Sequence, residues 1–288
     1  SFCEKEDENC FSRVMENRQK CKGGNGNILR YLSNNYLYPS KFEDLVYASQ
    51  LLQADAIAYG VEHFRRERGY CMGSIYWQFN DCWPVASWSS VDYFGRYKAL
   101  HYAARRFYAP VAMGLFAENG KLTVNIANET REKFRGRVRL TLCRADLTEL
   151  DRRECAVEVA PLHSSDVLNY ELPEFDPYSC YLAADLFDEQ GDFLTRRVET
   201  LVPAKHFAWQ KPTLCAEFTD KDGGVEIAVS SDVFTKGVFI DFRDFDCVLS
   251  DNFFALTDKT SYRVFARTGK TAAELRENAV FKTVYDIR

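Results

Sequence analysis

The residues best equipped for chemistry lie between Ser74 and Trp88, in the run Ser-Ile-Tyr-Trp-Gln-Phe-Asn-Asp-Cys-Trp-Pro-Val-Ala-Ser-Trp. Three of the four tryptophans, Trp77, Trp83 and Trp88, fall there, interleaved with Asn80 and Asp81. An indole covers the C–H face of a pyranose, and amide and carboxylate groups hydrogen-bond its hydroxyls, so this mixture suits a sugar pocket. A packed aromatic core carrying a polar loop has the same composition, and composition alone favours that reading.

The flanking elements must position these residues. Pro39-Ser40-Lys41-Phe42-Glu43 opens a long helix, with Ser40 and Glu43 spaced as a capping box. Phe42, Leu45, Leu52, Ala56 and Tyr59 recur at helical spacing, with Ala48 and Leu51 beside them. Arg65, Arg66 and Arg68 complement the negative end of the helix, and Gly69 suits a left-handed cap. The nearly continuous apolar run Cys71–Phe79 predicts a strand buried on both faces of a parallel sheet. A second helix is expected from about Gly95 to Phe107. Helix, buried strand, loop and helix is the order at the close of a (β/α)8 barrel, whose chemistry lies at the C-terminal strand ends. Upstream, residues 1–38 read as polar and loop-like around a short helix near Phe11–Lys20, and Lys22–Asn27 reads as a turn.

After Pro110 the period becomes two. Leu122, Val124 and Ile126 alternate with polar residues, as do Val138, Leu140 and Leu142. Leu182–Phe187 and Phe193–Leu201 flank a turn, and Asn119-Gly120 is a hairpin signal. Pro203–Pro212 reads as a linker. A second series follows at Leu214–Phe218, Val225–Val229, Val238–Phe242, Cys247–Leu249, Tyr262–Ala266 and Val280–Ile287, with Thr271–Asn278 as a short helix or loop. The expected fold is multi-domain: the last part of a (β/α)8 barrel over 1–110, then immunoglobulin-like antiparallel β-sandwiches over 111–202 and 203–288.

The chain has 288 residues, enough for more than one core, and a net charge of −5. No basic surplus exists to neutralise a phosphate backbone, which argues against nucleic acid as a partner. No apolar run reaches membrane-spanning length, so no membrane partner is expected. Ten cysteines are scattered without Cys-x-x-Cys or zinc-type spacing, and several, such as Cys143, sit in apolar runs. They read as reduced core residues, which points to the cytoplasm. The start, Ser-Phe-Cys-Glu-Lys, reads as the edge of a longer parent.

Tyr76-Trp77-Gln78-Phe79-Asn80-Asp81, Trp83-Pro84 and Ser87-Trp88 together closely resemble the last barrel strand of β-mannosidases, retaining glycosidases grouped with β-galactosidases and β-glucuronidases. The resemblance continues through Asp92-Tyr93-Phe94-Gly95-Arg96 and Lys98-Ala99-Leu100-His101-Tyr102 to Phe107-Tyr108-Ala109-Pro110. Upstream it includes Lys22-Gly23-Gly24-Asn25-Gly26 and the helix end at Arg65-Arg66, and Ser250-Asp251-Asn252-Phe253-Phe254 resembles a stretch of the terminal sandwich. It implies the C-terminal portion of an exo-β-mannosidase acting on a terminal β-mannoside, with the missing N-terminal part of the parent enzyme as a partner. Substrate binding is then expected from Trp77, Asn80, Asp81 and Trp83, with Trp77 as the platform under the sugar and Asp81 binding a hydroxyl or ordering the pocket.

Retaining glycosidases use two carboxyl groups about 5–5.5 Å apart. The resemblance implies a nucleophile in Ser-Glu-aromatic-Gly and an acid/base in Asn-Glu. The first motif is absent, and Asn128-Glu129 falls in a sandwich segment. No catalytic residue is therefore expected in this chain. Glu4 belongs to an acidic solvated run, and His63 and His101 read as packed or surface residues. No cofactor and no metal are expected, because no His/Asp/Glu set has ligand spacing. A last barrel strand without neighbours exposes an apolar edge, so a homodimer covering that face is possible. A carbohydrate-binding or scaffolding module is the alternative, with Trp209 or Phe253 as an exposed glycan contact; so is the same fold acting on β-galactosides or β-glucuronides.

Overall fold

The first 110 residues supply four α-helices among the described residues, and one forms where no apolar period announces it. These are α1 (Arg13–Arg18), α2 (Gly24–Asn35), α3 (Phe42–Arg66) and α4 (Ala99–Phe107). The computed structural model describes residues 3–287; Ser1, Phe2 and Arg288, which close the first and last predicted domains, lie outside the described residues. α2 corrects the loop expected over residues 22–38. Its Gly-Asn-Gly-Asn start has poor helix propensity. Tertiary bonds compensate: Asn25 donates to the Cys10 carbonyl and accepts from Gln19 Nε2, while Leu32 is fully buried.

α3 is the long helix expected, but its buried stripe differs. Tyr47, Ala48, Leu51, Ala54, Ala58 and Val61 are buried, whereas Phe42, Leu45 and Leu52 are half-buried and Ala56 and Tyr59 are exposed. The helix carries two apolar stripes, and periodicity alone does not say which one finds a partner. α4 begins four residues later than expected because Gly95 (φ +83°) belongs to a turn in which Asp92 Oδ1 accepts from the Phe94 and Arg96 amides.

The strand predicted over Cys71–Phe79 is not formed. A parallel strand needs neighbours for its backbone groups, and among the described residues this segment finds one only at its end, where Gln78 and Phe79 accept from the Ser90 and Val91 amides beside the Asn80–Val91 bridge. One row of its side chains faces solvent, with Ile75 99% exposed and Trp77 71%, while Tyr76 and Gln78 are half-buried. The barrel section expected over 1–110 is thus not evident as a sheet.

Two compact units are distinguished. Asp55–Ile75 with Ala103–Trp209 contains the first sandwich. Its strands are β1 (Val111–Glu118), β2 (Lys121–Asn128), β3 (Phe134–Arg144), β4 (Glu149–Val159), β5 (His163–Glu171), β6 (Cys180–Asp188) and β7 (Phe193–Glu199). They form antiparallel sheets β1-β2-β5 and β4-β3-β6-β7. The β1–β2 turn is Asn119-Gly120, both at positive φ, as a two-residue hairpin requires. Leu122, Val124 and Ile126 meet Val138, Leu140, Leu142, Leu182 and Leu186 in one core, each large side chain contributing about 1.5–3 kcal/mol. Arg65, Arg66 and Arg68 do more than decorate a helix end. Arg65 donates to the carbonyls of Phe107 and Ala109, Arg66 makes a two-pronged pair with Asp166, and Arg68 reaches Glu129 and the Leu162 carbonyl.

Ser1–Ala54, Tyr76–Tyr102 and Gln210–Arg288 make up the other unit. Its sandwich contains β8 (Leu214–Lys221), β9 (Gly224–Ser231), β10 (Thr235–Phe242), β11 (Val248–Leu249), β12 (Phe254–Leu256), β13 (Tyr262–Arg267), α5 (Ala272–Asn278) and β14 (Ala279–Lys282). The sheets run β11-β13-β9-β8 and β12-β10-β14. α5 starts on a Thr271/Glu274 capping box, and the strand expected to Ile287 ends at Lys282 in a short 3-10 turn. Within this unit, Tyr47 donates to the Gly237 carbonyl and Lys282 pairs with Asp44 at 2.6 Å. Phe253 is 8% exposed and lies against Tyr47, Tyr102 and Phe239, so it is not an outward glycan contact. Trp209 of the first-sandwich unit is likewise engaged, its ring on Phe207 and its N–H on the Ala204 carbonyl.

Candidate functional site

The segment bearing Trp77 and Asn80 is held by backbone bonds to a second short stretch. Val91 N donates to the Phe79 carbonyl at 2.8 Å, Ser90 N to the Gln78 carbonyl at 3.0 Å, and Asp81 N to the Val91 carbonyl at 3.1 Å. Lys98 N donates in turn to the Ser90 carbonyl at 2.9 Å. The Trp77–Gln78 peptide is cis. This frame leaves the Trp77 indole and the Asn80 side chain in solvent, with Asn80 Nδ2 donating to the neighbouring Asp81 carbonyl.

Asp81 behaves differently from its neighbours. It is 5% exposed. Oδ1 accepts from Ser87 Oγ at 2.6 Å, and Oδ2 accepts from Ser89 Oγ and from Lys98 Nζ at 3.3 Å. Lys98 Nζ also donates to Ser89 Oγ at 2.7 Å. The negative charge is therefore compensated inside the loop, and both carboxylate oxygens are engaged. Burial pushes the Lys98 ammonium pKa down, with Asp81 opposing that shift.

Trp83 is 42% exposed, and the Lys20 ammonium lies 4.4 Å from the centre of its ring. The same N-terminal segment reaches the loop twice more: Arg18 donates to the Pro84 carbonyl at 3.2 Å, and Gln19 bridges Ala86. Residues 18–20 therefore brace Trp83-Pro84, a support that the polar sequence of 1–38 did not signal.

A second polar knot lies on the other side of Trp77. Ser90, fully buried, contacts Tyr76 Oη at 2.8 Å, the Phe79 carbonyl at 2.9 Å and His101 Nδ1 at 3.2 Å. The imidazole lies between Tyr97 and Phe79, with ring centres at 4.1 and 5.7 Å, and burial lowers its pKa. His101 is thus packed, as expected, whereas His63 is exposed. Glu4 is exposed at the start of a short 3-10 turn.

Of the four residues selected from sequence, the structure places Trp77, Asn80 and Trp83 at the surface of one loop system and Asp81 beneath it. The residues missed were Ser87, Ser89, Ser90 and Tyr76. The alternation of serines around Trp88 was the available signal, since small hydroxyls are the side chains able to satisfy a buried carboxylate within a tight turn.

Comparison with known proteins adds a family context. Residues 120–206 match a family model described as a mannosidase Ig/CBM-like domain, and 209–287 match an Ig-fold domain model. β-mannosidase B of Thermothelomyces thermophilus is 29% identical over 272 residues, covering 84% of this chain and 32% of that protein. The β-mannosidase of Capra hircus is 37% identical over 119 residues, covering 37% of this chain and 14% of its own. A β-D-mannosidase structure from Dictyoglomus thermophilum superposes with a TM-score of 0.90 at 24% identity, over 97% of this chain and 34% of that one. The exo-chitosanase of Amycolatopsis orientalis gives 0.70 at 16%, over 88% and 35%. The chain thus spans 32% of the first relative's length and 34% of the first structure's.

Proposed function

We propose, from a chain similar in sequence and in fold to the C-terminal part of β-mannosidases, that it serves the sugar-contacting and bracing section of a retaining exo-β-mannosidase. Residues 1–110 act as the closing section of a barrel, and the two sandwiches stabilise it. Trp77 is the platform under a terminal β-linked mannose, Asn80 and Trp83 are polar and aromatic contacts, and Asp81 contributes by ordering the loop. The observation that carries this reading is the Trp77 indole, 71% exposed and followed directly by backbone that the Ser90 and Val91 amides hold at Gln78 and Phe79. An open aromatic face on a fixed frame is what stacking on a pyranose requires. The two reactive carboxylates belong to the rest of the enzyme, and the stretch Cys71–Trp77, outside any sheet of the described residues and with Ile75 and Trp77 in solvent, suits parallel strands from that part. A second copy of this chain is the alternative cover for the same segment, and a monodisperse monomer in ultracentrifugation counts against it.

Titration of the chain with manno-oligosaccharides, followed by tryptophan fluorescence, tests the platform. The expected result is a response that Trp77→Ala removes. A response that survives Trp77→Ala overturns the assignment and favours a separate carbohydrate-binding module. The chain alone is expected to leave nitrophenyl β-mannoside intact; turnover would place a catalytic carboxylate here, with Glu4 and Asp81 the first to be replaced. Among nitrophenyl glycosides tested on a longer protein carrying this chain, the mannoside is expected to be the preferred substrate over the galactoside and glucuronide. The ten cysteines, none in a disulfide among the described residues, suit a cytoplasmic location. No helix of the described residues is long and apolar enough to cross a membrane.

A further inference from the structure

The Ser90 hydroxyl has three polar neighbours and one hydrogen. The Phe79 carbonyl can only accept. For all three contacts to be hydrogen bonds at once, Ser90 donates to Phe79, and Tyr76 and His101 both donate to Ser90. That proton count assigns the hydrogen of the His101 ring to Nδ1. Tyr76 and Phe79 bracket the Trp77-Gln78 pair in sequence, so one buried hydroxyl ties a side chain on one side of Trp77 to a carbonyl on the other.

We propose that His101 is a positioning residue for Trp77: its Nδ1–H orients the Ser90 hydroxyl, which sets the backbone angle at which the indole is presented. This rests on the reading of Trp77 as a sugar platform, which it deepens by naming what aims the platform. The surroundings support a fixed ring. His101 sits against the rings of Tyr97 and Phe79, which restrict its rotation. Ser90 is further fixed by its own amide on the Gln78 carbonyl and by Lys98 N on its carbonyl. The Lys98–Asp81 knot is built on the hydroxyls of Ser87 and Ser89. It anchors the stretch from Asp81 to Ser89, whereas His101 acts on Tyr76–Phe79.

The test uses two substitutions that differ in one atom's place. The side-chain amide nitrogen of asparagine can occupy the position of Nδ1, and that of glutamine the position of Nε2. The 288-residue chain, labelled with 15N, reports the Trp77 indole N–H as a single resonance, assigned by its loss in Trp77→Phe. His101→Asn is expected to keep that resonance and the affinity for methyl β-mannoside. His101→Gln is expected to shift the resonance and to weaken affinity by up to about tenfold, the scale of one lost hydrogen bond. Tyr76→Phe, which removes a different donor to Ser90, is expected to shift the same resonance, and serves if a His101 variant does not fold. Equal spectra for His101→Asn and His101→Gln, or an unmoved resonance in Tyr76→Phe, overturn the proposal. If the unsubstituted chain does not respond to the mannoside while the resonances behave as expected, the sugar reading fails and the positioning role stands.

Discussion

The Lys98 ammonium lies 3.3 Å from Asp81 Oδ2, with the lysine side chain 14% exposed and the aspartate side chain 2%. Taking either charge away leaves the other in a poorly solvated place. Asp81→Ala is expected to destabilise the unit by about 3–5 kcal/mol, the scale for stranding one half of a buried pair. Asp81→Ala with Lys98→Met should recover much of that loss, because the stranded charge is gone. Urea unfolding followed by the fluorescence of the loop tryptophans measures both. Equal losses in the single and double variants would show that the loop does not depend on the pair.

Glu62 and Arg197 form a comparable contact in the first-sandwich unit, 2.9 Å apart with the carboxylate side chain 6% exposed. Burial raises the Glu62 pKa, and Arg197 pulls it back. Glu62→Gln is expected to cost about 3 kcal/mol. Glu171→Gln, which breaks the exposed pair with Lys121, is expected to cost less than about 1 kcal/mol. Similar midpoint shifts for the two variants in chemical denaturation would contradict this ranking by burial.

The half-buried imidazole of His101 makes stability depend on pH. Its folded-state pKa lies below the ordinary 6.5 because burial disfavours the charged ring. The unfolded chain therefore takes up the proton first on acidification. The contribution is complete above 6.5 and is lost as pH falls through the folded-state pKa. Between about pH 7.5 and 5.5, His101→Asn should lose less stability than the unsubstituted chain. Superimposable pH slopes would show that the ring titrates alike in both states.

Asn252, just before β12, ties its loop to β10 by imitating a backbone. Its Oδ1 accepts from Ile240 N and its Nδ2 donates to the Ile240 carbonyl, both at 2.9 Å. Asn252→Asp removes the donor and turns an oxygen toward that carbonyl. The expected cost is about 1–3 kcal/mol, that of leaving a buried acceptor unmatched. Faster hydrogen exchange at the Ile240 amide in Asn252→Leu, which removes its acceptor, is the accompanying sign; unchanged exchange would argue that the strand holds without the side chain.

The sandwiches were legible because a period of two and turn chemistry are local properties. Asn119-Gly120 specifies a hairpin on its own, whereas Thr271–Asn278 read as helix or loop until the structure showed the capping box of Thr271 and Glu274. The helix Gly24–Asn35 was not legible, since its stability comes from Asn25 and Leu32 meeting groups distant in sequence. The apolar run Cys71–Phe79 misled for the converse reason. Its composition describes what a strand would bury, but pairing depends on neighbours, and among the described residues only its last two residues meet one, at Ser90 and Val91.

The sequence by itself determined the kind of chemistry on offer: aromatic faces and amides clustered between Tyr76 and Trp88, and two alternating strand series after Pro110. Residue types and spacing settle this because they are written along the chain. Only the tertiary structure decided that Trp77 and Asn80 face solvent while Asp81 turns inward to Lys98, and that Ser90 gathers Tyr76, Phe79 and His101. The reason is physical: a carboxylate or hydroxyl goes where its charge or proton is satisfied, and the partners that satisfy it come from other turns of the folded chain.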